Sequence, residues 1–77
     1  MRKIALQKED LQQIQVFGKL KIATFKYNNN EIIFEINDSG NIKAIYYEID
    51  TERDRIIGLD IFNYDTIRLI KETLNNA

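Results

Sequence analysis

Five carboxylates crowd the stretch EIDTERDRIIGLD, residues 48–60: Glu48, Asp50, Glu52, Asp54 and Asp60. Clustered acids do two kinds of chemistry. They coordinate hard cations, or they work in pairs as general acid and base. An EF-hand calcium loop places oxygen donors at its first, third and fifth positions, Gly at the sixth and a bidentate Glu at the twelfth. Counting from Asp50, the donors fit, but Arg55 stands at the Gly position and Ile61 at the Glu position. Arg53 and Arg55 also supply positive charge inside the loop. Acid–base work needs two carboxyls in a cleft with their proton affinities pushed apart. Acids in a turn are ordinarily solvated. The stretch therefore reads as an exposed turn with local ion pairs, each contributing about 0–1 kcal/mol.

The rest of the inventory is thin in chemistry. The chain has no His and no Cys. That removes the Ser-His-Asp triad, thiol nucleophiles, zinc–thiolate clusters and a histidine pH switch. Ser39 is the single serine and belongs to a turn. Gly18, Gly40 and Gly58 lie far apart, so no glycine-rich phosphate loop exists. The residues favour no catalytic centre, metal site or cofactor, and the expectation is a non-enzyme.

Two features rise above this background. The first is basic: Lys19, Lys21 and Lys26 interleave with Phe25 and Tyr27 in KLKIATFKY. Lysines that neutralise phosphates beside rings that stack on bases make single-stranded nucleic-acid platforms. Lysines on an outer strand also guard against edge pairing. The second is apolar and depends on the strands.

Those strands follow from pattern. Residues 19–27 and EIIFEIN, 31–37, read as a hairpin across the Asn turn. A turn at Asn29-Asn30 sets Tyr27 opposite Ile32, Phe25 opposite Phe34 and Ala23 opposite Ile36. NDSGN at 37–41 fits a three-residue hairpin loop with Gly40 left-handed. It pairs Ile36 with Ile42, Phe34 with Ala44, Ile32 with Tyr46, Glu35 with Lys43 and Ile33 with Ile45. Residues 42–49 form the third strand. Residues 55–61, RIIGLDI, read as a fourth, with Gly58 marking a bulge or a close approach. In this register one face collects the core. The other carries Ile33, Ile45, Tyr47 and Ile49 where a solvated face should be polar. Such a patch marks a contact surface unless a helix lies over it.

Helices complete the reading. KEDLQQIQVF, residues 8–17, has Leu11, Ile14 and Phe17 at threefold spacing and Gly18 at a C-cap position. It reads as an N-terminal helix. Near the C-terminus, Asn63 caps a helix stapled by Phe62 and Ile67, with Ile67, Ile70 and Leu74 as its buried stripe. Residues 2–6 fit either a strand or a helix start.

The expected fold is a single α+β domain over residues 1–77: an N-terminal helix, a three- or four-stranded antiparallel β-meander and a C-terminal helix. The 77 residues are 44% hydrophobic and 30% charged, which is globular composition. No segment approaches the roughly 20 apolar residues of a membrane span, and residues 1–30 hold no apolar run of the length expected of a signal peptide. The expected location is cytoplasmic. Isoleucine outnumbers valine 14 to one. Its excess, with Lys and Asn, points to an AT-rich bacterial, phage or mobile-element genome. Residues 1–30 carry a net +4 and residues 31–77 a net −5. The expected function is a non-catalytic protein–protein interaction module, such as a small regulator, inhibitor or immunity-type protein. It acts through the patch or a sheet edge, on another protein or as a homodimer. The alternative is single-stranded nucleic-acid binding through Lys19, Lys21 and Lys26.

Overall fold

The structure, a computed structural model, describes residues 2–77. Five strands run in sequence order: β1 (Leu11–Phe17), β2 (Leu20–Tyr27), β3 (Asn30–Ile36), β4 (Ile42–Glu48) and β5 (Arg53–Ile57). Each pairs antiparallel with the next in one sheet of order β1-β2-β3-β4-β5. One helix, α1 (Tyr64–Asn75), follows. The α+β class, the meander and the C-terminal helix stand as the sequence implies. The strand count is five rather than three or four.

The N-terminal helix expected over residues 8–17 is corrected. Lys8–Asp10 form one 3-10 turn, and Leu11–Phe17 form a strand. The ladder shifts between Leu11 and Gln13, so Gln12 is an extra, bulged residue. Leu11 lies opposite Phe25, and Ile14 opposite Ala23. The bulge puts two residues three apart on one face, and so imitates a helical period. Gly18 does take a left-handed φ of +62°, but in a two-residue hairpin loop rather than a helix cap. A left-handed first loop residue matches the right-handed twist of flanking strands.

The β2–β3 register is also corrected. Tyr27 pairs with Asn30, Phe25 with Ile32, and Ala23 with Phe34. The loop is Asn28-Asn29, with Asn28 at φ +55°, rather than Asn29-Asn30. The displacement is two residues, so every side chain keeps its face. The β3–β4 pairs are those the sequence implies, from Ile36 with Ile42 to Ile32 with Tyr46. The Asn37 side chain accepts from the backbone N–H of Ser39 and Asn41, both at 3.0 Å, and Gly40 takes φ +83°. Residues 55–61 divide at Gly58: β5 ends at Ile57, and Leu59–Ile61 form a 3-10 turn.

The core lies between α1 and one sheet face. Ala23, Phe25, Ile32, Phe34 and Ala44 meet Ile70 and Leu74 of the helix. Phe34 stacks edge-on with Phe25 at 5.6 Å and with Phe62 at 5.3 Å. The Asn63 side chain accepts from Thr66 N at 2.9 Å, as an N-cap should. Residues 2–6 lie beside the chain entering α1. Ile4 forms a parallel bridge to Phe62, donating to Ile61 O at 2.7 Å and accepting from Asn63 N at 3.0 Å. Leu6 is buried, and its N–H donates to Thr66 Oγ1 at 2.9 Å.

Candidate functional site

Side chains alternate along a strand, so burying Ala23, Phe25, Ile32, Phe34 and Ala44 sends their neighbours to the other face. α1, the one α-helix among the described residues, packs on the core side. The other face therefore lies uncovered.

Pairing arranges that face in rows across the strands. The central row runs Thr24, Ile33, Ile45, Ile56. On one side lies Lys26, Glu31, Tyr47, Asp54. On the other side are Ile22, Glu35 and Lys43, with a 3.7 Å ion pair between Lys43 Nζ and Glu35 Oε1. Ile33, Ile45 and Tyr47 are half-buried by their neighbours, whereas Ile56 is 71% exposed. Leaving a large aliphatic in water forfeits up to about 1.5–3 kcal/mol of burial free energy. The isoleucine row Ile33, Ile45, Ile56 thus makes this face apolar where a solvated sheet face is ordinarily polar.

The expected patch is brought together in part. Ile33, Ile45 and Tyr47 share the face. Ile49 follows the end of β4, 46% exposed, with its N–H on Asn30 Oδ1 at 3.2 Å. Ile56 is the member the sequence reading missed. The alternation of Arg53, Asp54, Arg55 and Ile56 carried that signal, because Arg55 stacks over Tyr46 on the core side at 5.2 Å. Ile22 also joins the patch. Phe17 (58% exposed) and Leu20 extend it toward β1, and the helical reading of residues 8–17 hid Phe17.

The three lysines do not share a surface. Lys26 is on the uncovered face, Lys21 lies opposite Ile36 on the core side, and Lys19 is in the β1–β2 loop. Lys19 and Lys21 do meet, beside Asn37, Asp38 and Asn75, around a hollow of about 440 Å³. The aromatic partners are not available for stacking there: Phe25 is fully buried and Tyr27 packs edge-on against Tyr46 at 6.3 Å.

The acids of residues 48–60 are dispersed. Glu48 closes β4 opposite Arg53, with Thr51 Oγ1 donating to it at 3.5 Å. Asp50 and Glu52 sit exposed in the turn, Asp54 is on the uncovered face, and Asp60 is in the 3-10 turn. Among the described residues, no three acids converge as a metal cage would require. A second groove of about 290 Å³ between β1 and α1 is lined by Leu11, Ile14, Leu69 and Thr73, with Lys8 and Glu72 at its rim. It gathers no nucleophile–base pair.

No protein-family model matches this chain, and no curated protein or solved structure matches it either.

Proposed function

We propose that the chain is a non-catalytic protein–protein interaction module acting through the uncovered sheet face. One observation carries this reading: Ile33, Ile45 and Ile56 stand in register across three strands on a face that no other element of the described residues packs against. Tyr47 adjoins the row, and the charged residues on either side supply a polar rim. An apolar centre with a polar rim is the anatomy of a protein interface. The mechanism is burial of this row against a partner, and a small regulator, inhibitor or immunity-type protein works in this way.

The test uses tagged protein in nuclease-treated lysate of its own source. Wild type should retain a stoichiometric protein, and Ile45→Arg should lose it while still unfolding cooperatively. Ile56→Arg serves as a second variant, because a side chain 71% exposed can change without touching the core. Retention that ends on nuclease treatment would reject the reading in favour of nucleic-acid binding.

A further inference from the structure

The uncovered face is complementary to itself. Consider a line along the strands, midway between β3 and β4. Turning a second copy about it lays β3 on β4 and β2 on β5. Ile33 then faces Ile45 of the second copy, and Thr24 faces Ile56. Glu35 faces Lys43, and Lys26 faces Asp54. Glu31 meets Tyr47, whose hydroxyl can donate to a carboxylate. These matches follow from the rows, since the members of each row stand level across the sheet. The contacts are apolar, of opposite charge or, for Glu31 on Tyr47, a hydrogen bond, none sets like charges together, and each occurs twice, as a two-fold interface requires. A two-fold axis across the strands would instead set Glu31 on Glu35.

We infer that this face binds a second copy of the same chain, forming a two-fold β-sandwich with one helix on each outer side. The inference rests on the interaction reading above and names its partner. Two lysines and three acids on the face leave it near neutral, so like faces do not repel. The four overlapping strands, β2–β4 of seven or eight residues and β5 of five, span about 19 Å across and about 17–24 Å along the strands. Two such faces, with side-chain relief, approach the total of about 1,200 Å² where stable interfaces begin. Packed sheets cross at about 30°, which shifts contacts about 7 Å from the axis by about 4 Å. A lysine side chain spans that shift, so the Lys26–Asp54 contact survives it.

Sedimentation equilibrium of the full chain, up to about 1 mM, tests the inference. The expected mass rises reversibly from 9.1 kDa toward twice that value. Ile56→Arg should weaken association about ten-fold or more with an unchanged circular dichroism spectrum. Lys26→Glu should weaken it about five-fold, and adding Asp54→Lys should restore it. Lys26 and Asp54 lie three strands apart, about 14 Å, so that rescue cannot arise within one chain. A monomer at every concentration overturns the inference, as does a dimer indifferent to these changes. If a monomeric wild type, but not Ile56→Arg, still retains a stoichiometric protein from lysate, the second copy is wrong and the interaction reading stands. If neither behaviour is seen, both fall.

Discussion

Thr66 is a polar side chain buried in the core, and it ties two distant segments together. Its hydroxyl accepts from Leu6 N, sixty residues earlier, and its own N–H is capped by Asn63. Thr66→Val keeps the shape but strands the Leu6 N–H, which costs about 1–3 kcal/mol. Thr66→Ser keeps the acceptor and should cost less. Urea melts of the pair decide this, and a Val variant as stable as wild type would refute it. Asn63→Ala removes the cap and should cost about 1 kcal/mol in the same assay. The cap was legible because Asn before an amphipathic run is a local signal. The Thr66 bond was not, because nothing local in the chain links Leu6 to Thr66.

At the scale of elements, β1 is the instructive case. Leu11, Ile14 and Phe17 carry a threefold spacing, yet Ile14 and Val16 also alternate as a strand would. Periodicity alone could not choose between them. The free edge of β2 chose, because pairing satisfies a row of backbone groups that a helix would leave open. Gln12 absorbs the mismatch as a bulge. Deleting Gln12 should therefore leave a continuous ladder and a cooperative fold. Deleting Gln15 should cost far more, since it breaks the alternation that sets Ile14 opposite Ala23. Thermal melts of the two deletions compare them directly. The loops follow simpler rules. Gly40 sits at φ +83°, where a side chain is strained, so Gly40→Ala should cost about 1–2 kcal/mol.

The whole molecule is a two-layer structure with a single covering helix. Ile70 and Leu74 close a core that no second α-helix among the described residues supports. A chain of this length has a total stability of about 4–12 kcal/mol. Leu74→Ala should remove about 2–5 kcal/mol of it and leave a partly unfolded population near body temperature. Differential scanning calorimetry would show this as a large fall in melting temperature; a small fall would mean that α1 contributes little to closing the core. The same economy of helices leaves the isoleucine row without a cover. In the described residues no helix is long and apolar enough to cross a membrane.

The sequence by itself determined the hairpin from β3 to β4, the cap of α1, Ile70 and Leu74 of its stripe (Ile67 is only half-buried, and Thr66 is buried in the first turn), and the faces of the central strands. Each rests on neighbours within a few residues, where period and turn chemistry act. It also placed Ile33, Ile45 and Tyr47 together, because alternation survives a two-residue error in register. Tertiary structure decided the rest. It made residues 11–17 a strand, because a free sheet edge competes with a weak helical period. It added Ile56 to the patch by fixing β5 against β4. It parted Lys26 from Lys19 and Lys21, since strand alternation sends Lys21 and Lys26 to opposite faces of β2. Most of all, it left one sheet face uncovered. That depends on how many helices the chain can fold over the sheet, and no short stretch of residues encodes it.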